Sequence, residues 1–189
     1  MRICVFCSSS NFLDERFYEE ARLLGTLIGK EKFKLVYGGT HVGLMGALAL
    51  AVKEEKGLIT GVIPQLIFNK GIAYDGVDEL IVTRDLRERK ATMERISDAF
   101  IALPGGFGTL EEFFELVTLK QLQVHFKPLV IINTLGYFDE LIVFFERLFK
   151  ERFASDRFRN LIYVADNPAK SLQYISEYKP EFIADKWTP

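Results

Sequence analysis

The residues best suited to chemistry lie in a glycine-rich segment near the middle of the chain. Residues 104–112 read Pro-Gly-Gly-Phe-Gly-Thr-Leu-Glu-Glu and directly follow the apolar run Ala99–Leu103. This order predicts a strand, a glycine turn and a helix whose first N–H groups have no acceptor within the helix. Glycines let a ligand approach the backbone closely, and the N-terminus of a helix attracts anions. We therefore predict a phosphate site formed by the backbone of Gly105–Thr109 and the Thr109 hydroxyl.

Glu112, at the end of this segment, has two interpretations. Thr109-x-x-Glu112 is a capping box, in which each side chain accepts a hydrogen bond from a backbone N–H of the other residue. An acidic residue in the first turn also complements the helix dipole. The pattern by itself favours the cap, and a catalytic role for the carboxylate stays open.

A second candidate is the charged segment 84–90, which reads Arg-Asp-Leu-Arg-Glu-Arg-Lys and follows the predicted strand Glu79–Thr83. Most runs of mixed charge form a solvated helix face. This run, however, begins at the same edge of the predicted sheet as the glycine turn. An arginine there could bind a phosphate through two parallel hydrogen bonds.

Short apolar runs alternate with segments of helical periodicity along the whole chain. Several runs are apolar throughout, as in the strands of a parallel sheet that is covered on both faces. The face formed by Phe17, Ala21, Leu24 and Ile28 predicts the first helix. We predict one α/β domain over residues 1–189, with a doubly wound, Rossmann-like parallel sheet and helices on both faces. The predicted strands are Arg2–Phe6, Lys34–Tyr37, Leu58–Ile63, Glu79–Thr83, Ala99–Leu103, Leu129–Asn133 and Leu161–Ala165. The further helices are Leu44–Glu54, Leu86–Ile96, Thr109–Leu122, Phe138–Lys150 and Pro168–Tyr178.

Ligands of such sheets bind in the crevice beyond the carboxyl ends of the strands. Three loops rich in Gly, Ser or Thr lie at that edge: Cys7–Ser10, Gly38–Gly43 and Pro104–Thr109. We therefore assign Ser9, Gly38 and Gly39 to the same phosphate-bearing ligand site as the glycine turn.

Several common chemistries lack their motifs here. The first strand is followed by Cys-Ser-Ser-Ser rather than a dinucleotide fingerprint, and no P-loop or Gly-x-Ser-x-Gly elbow is present. Cys4 and Cys7 are three residues apart on a strand, so they point to opposite faces and do not form a redox or zinc pair. His41 and His125 have no metal-ligand spacing, and His41 is the better functional candidate because of its loop. We predict no metal and no cofactor.

Composition narrows the class of partner. The chain has 189 residues, 24 Lys and Arg against 26 Asp and Glu, and a formal charge of −2. This balance does not favour nucleic acid or an anionic membrane as a partner. No apolar stretch approaches the ~18 residues of a membrane span, and the N-terminus lacks the pattern of a signal peptide. Two cysteines cannot cross-link a domain of this size, so we expect a cytoplasmic protein.

Taken together, these segments resemble the Lonely Guy (LOG) family of cytokinin-activating phosphoribohydrolases, and the resemblance covers nearly the whole chain. The motifs that carry it are, in chain order, Ile3–Cys7, Val36–Gly39, Val42–Gly46, Gly61–Pro64, Arg89–Met93, Asp98–Leu103 and Pro104–Glu112. The resemblance implies hydrolysis of the N-glycosidic bond of adenosine-type 5′-monophosphates to a free base and ribose 5-phosphate. It implies a small-molecule substrate and a homodimer with each active site near the interface.

The family's essential arginine and glutamate fall on Arg89 and Glu112. Its substrate contacts fall on Lys90, Gly106, Phe107, Gly108, Thr109, Leu110, Glu111, Glu112 and Thr118, and we add Met93 and Gly105 from the same motifs.

Four positions differ from the pattern of the plant enzymes and leave the preferred base open. Ser8 replaces a common glycine, Arg87 a histidine and Leu119 a tryptophan, while Gly71 stands where plant enzymes have a substrate-contacting glutamate. AMP and N6-isopentenyl-AMP therefore both remain candidate substrates. Relatives are sometimes labelled lysine decarboxylases, but that chemistry needs a Schiff-base lysine and a cofactor platform, and this sequence has no context for either.

Two alternatives concern assembly and function. The segment 138–153 is apolar on nearly all sides, which fits either a helix between subunits or one buried within the monomer. The same glycine-loop fold is similar to that of molybdenum-cofactor carrier proteins, so a carrier without glycosidic chemistry is the main alternative function. An interaction protein with a vestigial site is a third.

Overall fold

The computed structural model describes residues 1–181, in which seven parallel strands form one sheet in the order β4-β3-β2-β1-β5-β6-β7. The last eight residues of the predicted domain lie outside the described residues. The strands are β1 (Arg2–Phe6), β2 (Lys34–Tyr37), β3 (Leu58–Pro64), β4 (Glu79–Thr83), β5 (Ala99–Ala102), β6 (Leu129–Ile132) and β7 (Tyr163–Ala165). The helices are α1 (Glu15–Lys30), α2 (Gly43–Glu54), α3 (Gln65–Phe68), α4 (Leu86–Ile96), α5 (Phe107–Gln121), α6 (Asp139–Lys150) and α7 (Pro168–Glu177). The predicted α/β, Rossmann-like fold is confirmed.

The strand order reverses at the centre of the sheet. The chain first builds outward from β1 to β4, and then returns to place β5 on the other side of β1. The loops that follow β1 and β5 therefore run toward opposite halves of the sheet and leave a crevice between them. This is the position where open α/β sheets bind their ligands.

Apolar side chains cover both faces of the sheet. On one face, residues of α1, α2 and α7 pack against the alternate side chains of β1, with Cys7 among them. On the other face, residues of α4, α5 and α6 pack against Cys4 and Phe6. Cys4 and Cys7 thus lie on opposite faces, as their spacing predicts. No helix among residues 1–181 is both long and apolar enough to cross a bilayer.

The predicted elements differ from the structure mainly at their ends. The seventh strand begins at Tyr163 rather than Leu161, because residues Asp156–Leu161 form a 3-10 turn. The short helix α3 was not predicted, since four residues give no periodic signal. Helix α5 begins at Phe107 rather than Thr109, which changes the role of the residues that follow.

Helix α6 is not buried within the single chain, so that interpretation is wrong. None of its residues is buried, and Val143 and Phe144 are 68% and 51% exposed. Leu141, Ile142 and Phe145 pack partly against the core. One apolar side of this helix therefore faces the sheet while another faces outward.

His125 is a buried core residue, and its ring is held by two backbone groups. Its Nε2 lies 3.0 Å from the Leu116 carbonyl oxygen, and its Nδ1 accepts a hydrogen bond from the Lys127 N–H at 3.2 Å. Burial lowers the pKa of His125 to about 4. The folded protein therefore holds the neutral ring, as a packing residue does.

We predict that His125 makes the protein less stable in mild acid. Folding lowers the His125 pKa below its ordinary value near 6.5. The free energy of unfolding that the neutral ring contributes is therefore complete above pH 6.5 and is lost as the pH falls toward 4. The loss amounts to at most about 3 kcal/mol. Urea unfolding at pH 7 and at pH 4.5 measures how far the free energy of unfolding falls between the two pH values. This fall should be smaller for His125→Gln than for wild type. The exposed His41 provides the control variant, His41→Gln. Equal decreases in wild type and His125→Gln would contradict the prediction.

Candidate functional site

Backbone hydrogen bonds join the loops at the carboxyl edge of the central strands. The Ser8 N–H, after β1, donates to the Pro104 carbonyl after β5 at 3.1 Å. The Ser8 carbonyl accepts from the Leu44 N–H at 3.0 Å, and the Asn11 side-chain oxygen accepts from the Gly43 N–H at 2.8 Å. The three loops singled out in the sequence therefore form one connected surface.

The glycine turn before α5 presents its backbone to the outside. A side chain at Gly106 or Gly108 would meet nothing within 4 Å, and Phe107 between them is 93% exposed. Gly105 is required for a different reason, because a Cβ there would lie 2.1 Å from Thr109 Oγ1. The Tyr137 hydroxyl holds the turn by donating to the Gly105 carbonyl at 2.9 Å.

The capping box predicted for Thr109 and Glu112 does not exist. Gly106 is the N-cap of α5 and makes no side-chain cap, so Thr109 lies in the first turn and Glu112 in the second. A side chain so far inside the helix cannot serve the free N–H groups at its start. The Glu112 carboxylate therefore has a partner other than its own helix.

That partner is Arg89, whose Nη1 donates to Glu112 Oε1 in an ion pair. Arg89 lies on α4, is 8% exposed, and donates from Nε to the Val62 carbonyl of β3 at 2.9 Å. Gly38 leaves room for the guanidinium, because a Cβ there would lie 2.9 Å from Nη2. The charged segment thus divides: Arg84 and Arg87 are solvated, whereas Arg89 turns inward.

Lys90, the next residue, holds the acidic neighbours of Glu112 in place. It forms ion pairs with Glu111 and with Glu115, and its own side chain is 16% exposed. Three acidic residues of α5, Glu111, Glu112 and Glu115, are therefore paired with two adjacent cations of α4. The carboxylates of Glu111 and Glu115 are thereby directed toward Lys90, and that of Glu112 toward Arg89.

Two cavities adjoin this group of charges. A cleft of about 540 Å³ lies between the loops and is lined by Arg89 and Gly108, among others. A smaller cavity of about 190 Å³ is lined by Glu112 and Lys90, with Phe6 and Leu116 among its apolar walls. Arg89 thus faces the larger cavity and Glu112 the smaller one.

The buried thiols of Cys4 and Cys7 both interact electrostatically with the Glu112 carboxylate. Burial, with the Glu112 charge as the second cause, raises the pKa of Cys4 and of Cys7 far above the ordinary range. Such thiols are inert in redox exchange. Among the residues that the structure describes, no group of three or more His, Cys, Asp or Glu side chains is arranged to hold a metal ion.

The structure brings most of the predicted site residues to one place. Ser9, Gly38, Arg89 and Gly108 line the large cleft, and Gly39 lies beside Gly38 with a φ of +77° that favours glycine. Phe107, Leu110 and Glu111 follow on the first turns of α5.

Two predicted substrate contacts lie elsewhere. Met93 is 0% exposed, and its side chain packs in the core beneath α4 and α5 rather than facing the cleft. Thr118 is nine residues beyond Thr109, about 13 Å along the helix. Its hydroxyl donates to the Phe114 carbonyl at 2.9 Å, and it lines an apolar groove formed with α6.

Sequence reasoning missed the residues that come from outside the glycine loops. Asn11 and Lys70 line the cleft beside Thr40, which belongs to the Gly38–Gly43 loop already identified. Segment 69–74, after α3, lies against the Gly38–His41 turn, where Thr40 and Ala73 form an isolated antiparallel bridge. The sequence did contain one indication that this segment reaches the site: Gly71 stands where the plant enzymes have a substrate-contacting glutamate.

Comparison with known proteins agrees with this geometry. The family described as "Possible lysine decarboxylase" matches residues 45–175. The chain is 41% identical to cytokinin riboside 5′-monophosphate phosphoribohydrolase LOG7 of Arabidopsis thaliana, over 96% of this chain and 83% of that protein. It is 39% identical to LOG2 of the same plant, over 95% of this chain and 84% of that protein.

A solved structure shares the fold at lower identity. The molybdenum cofactor binding protein of the phototrophic bacterium Rippkaea orientalis superposes with a TM-score of 0.70 at 27% identity, covering 93% of this chain and 94% of that one. The identity to the LOG enzymes is higher and also extends over nearly the whole chain. On this sequence identity and coverage, the chain belongs to the LOG family of phosphoribohydrolases.

Proposed function

We propose that this protein is a phosphoribohydrolase that cleaves the N-glycosidic bond of adenosine-type nucleoside 5′-monophosphates, releasing the free base and ribose 5-phosphate. The observation that carries the proposal is the Arg89–Glu112 ion pair beside an open glycine turn at the reversal of strand order. The names of the LOG relatives support a cytokinin nucleotide as substrate. AMP is the simpler candidate.

Binding would begin at the substrate's phosphate. The exposed backbone of Gly106 and Gly108 and the first N–H groups of α5 form an anion site that faces the outside. The Thr109 hydroxyl and the Ser9 side chain lie at the same edge of the sheet. Holding the phosphate here uses binding energy remote from the reacting carbon to position that carbon.

The reaction needs negative charge beside C1′ of the ribose. Glycosidic cleavage passes through an oxocarbenium-like state, with positive charge on C1′ and the ring oxygen. The Glu112 carboxylate stabilises that charge, either as the nucleophile or as the base that activates water. The C1′–N bond breaks with its electron pair leaving on the purine. Water supplies hydroxide to C1′, and its remaining proton goes to the departing purine.

Arg89 positions the carboxylate and the substrate. Its guanidinium is held by the Val62 carbonyl and by Glu112, so it cannot swing away from the cleft. An arginine is a poor proton donor because its pKa is so high. We therefore assign Arg89 to charge stabilisation and orientation. Lys90 keeps Glu111 and Glu115 away from the reacting carboxylate.

The alternative is a carrier that binds a phosphorylated ligand without cleaving it. The structural similarity to a molybdenum cofactor binding protein favours this alternative. A carrier, however, has no use for a carboxylate beside a bound anion, where like charges repel. The pairing of Glu112 with Arg89, which lines the same cleft as Gly108, therefore supports hydrolysis.

We further propose a homodimer formed through the groove between α5 and α6. The groove has a volume of about 330 Å³, and its lining includes Phe114, Phe145 and Phe153, of which Phe153 is 80% exposed. An apolar surface of this kind is typical of a subunit interface. Thr118 lines the same groove. In such a dimer, Thr118 would lie near the second copy and could contact the substrate bound there, although it lies far from the site of its own chain.

The proposed location is the cytoplasm. Cys4 and Cys7 are free, buried thiols. A protein that keeps its cysteines unpaired suits a reducing compartment.

The activity can be tested by incubating the purified protein with AMP and with N6-isopentenyl-AMP. Chromatography should detect free base and ribose 5-phosphate. Glu112→Gln keeps the size of the side chain and removes its charge, so we expect kcat to fall at least about 100-fold. Circular dichroism checks that the variant is folded. Glu54→Gln, at an exposed glutamate on α2, is the matched control and should retain full activity. Normal turnover by folded Glu112→Gln would contradict the catalytic assignment.

Sedimentation equilibrium tests the homodimer. Wild type should sediment at about twice the 21.7 kDa mass of the chain. Phe153→Glu places a charge in the proposed interface, where burial of an unpaired carboxylate is costly, so the variant should sediment as a monomer. Leu50→Glu, at a 51% exposed position on the other face of the sheet, should leave the dimer intact. A monomeric wild type would overturn the proposal.

A further inference from the structure

The large cleft carries a positive charge that the chain itself does not balance. Its lining includes two cations, Arg89 and Lys70, and no carboxylate. Arg89 is already paired with Glu112. Lys70 has no ion-pair partner among residues 1–181, because none of the ion pairs formed there includes it. The charge available to a ligand in this cleft is therefore that of Lys70.

The backbone that carries Lys70 is held in place against the Gly38–His41 turn. The Lys70 N–H donates to the Ile67 carbonyl at 3.0 Å, and the His41 N–H donates to the Ile72 carbonyl at 3.2 Å. The Tyr74 N–H donates to the Gly39 carbonyl at 2.9 Å. The last two of these bonds attach segment 69–74 to the Gly38–His41 turn, whose Gly38 packs against the Arg89 guanidinium. The lysine thus has a defined position at the cleft, although its side chain is exposed.

The position suits an anion that also contacts the start of α5. Gly108, in the first turn of that helix, lines the same cleft as Lys70. A phosphate monoester carries roughly −1.5 to −2 charge near pH 7. The helix N-terminus supplies only about half a positive charge. An ammonium group across the cleft supplies a full one and binds phosphate as a point charge.

We propose that Lys70 binds the 5′-phosphate of the substrate and thereby makes the enzyme select nucleoside monophosphates over nucleosides. This inference rests on the phosphoribohydrolase activity proposed above. Because the start of α5 already positions the phosphate, which does not change during cleavage, the added contact with Lys70 stabilises the bound substrate and the transition state equally. Its loss therefore raises KM and leaves kcat nearly unchanged.

Steady-state kinetics of Lys70→Met with AMP test the proposal. A charged hydrogen bond contributes about 1.5–3 kcal/mol, so KM should rise about 10- to 100-fold while kcat stays within about threefold. Inhibition by ribose 5-phosphate should weaken by a similar factor, and inhibition by free adenine should not change. Lys70→Arg should restore most of the lost affinity because it keeps the charge. Lys34→Met, at an exposed lysine at the amino end of β2, removes the same charge at the opposite edge of the sheet and should leave all constants unchanged.

The outcomes separate this inference from the proposed function. A wild type that releases no base from AMP or N6-isopentenyl-AMP contradicts the activity itself. An active wild type whose Lys70→Met variant has an unchanged KM for AMP overturns the role of Lys70 only. A variant with normal KM and a much lower kcat also overturns it, because the lysine would then act on the leaving base.

Discussion

The ion pair between Arg89 and Glu112 joins two helices that pack on the same face of the sheet but come from opposite halves of it. Arg89 is on α4, which follows the edge strand β4, and Glu112 is on α5, which follows β5, the neighbour of the central strand β1. Both side chains are nearly buried, at 9% and 14% exposed. Removing one partner would leave the other charge unpaired in a low-dielectric site, which costs about 3–5 kcal/mol when burial is complete. The groups that we assign to catalysis therefore link the two halves of the sheet, in addition to the pairing of β1 with β5.

The surroundings of this pair follow from its burial. The Val62 carbonyl of β3 accepts the remaining Nε proton of Arg89, so the guanidinium is fixed by the sheet as well as by its partner. Gly38 has no side chain because a Cβ would collide with the guanidinium. Cys4 and Cys7, near the carboxylate, are kept as thiols by burial and by its charge. Small or neutral residues thus surround the pair, and its other charged neighbours are paired with one another through Lys90.

The chain shares its fold with a molybdenum cofactor binding protein, although its identity to the LOG phosphoribohydrolases is higher. The proposed anion site uses general features of the fold, because phosphate-bearing ligands bind at a reversal of strand order and at a helix N-terminus. Catalysis needs one further carboxylate that faces the bound sugar. In this chain α5 begins at Phe107, so Glu112 lies in the second turn, where it cannot cap the helix and pairs with Arg89 instead.

Local patterns in the sequence were sufficient for the architecture. Apolar runs that alternate with helical periodicity predicted all seven strands and six of the seven described helices, because each pattern reflects which side of a single element is buried. The glycine turn and the acidic segment after it were identified for the same reason. Residue types recognisable from the family placed Arg89 and Glu112 in the site, where the sequence pattern alone had favoured a cap and a solvated helix face.

Contacts between distant segments were decided by packing alone. Arg89 meets Glu112 across 23 positions, and segment 69–74 lies against the Gly38–His41 turn and brings Lys70 to the cleft. The same holds for Lys120, a buried lysine on α5 that donates to the Leu161 carbonyl at 3.0 Å and whose pKa burial lowers to about 8. Periodicity describes one element and its own buried side, whereas these contacts depend on how separate elements are placed against one another. The sequence by itself therefore determined the sheet, the helices and the chemistry available at one edge, and only the tertiary structure decided which charges are paired there and which one is left for a ligand.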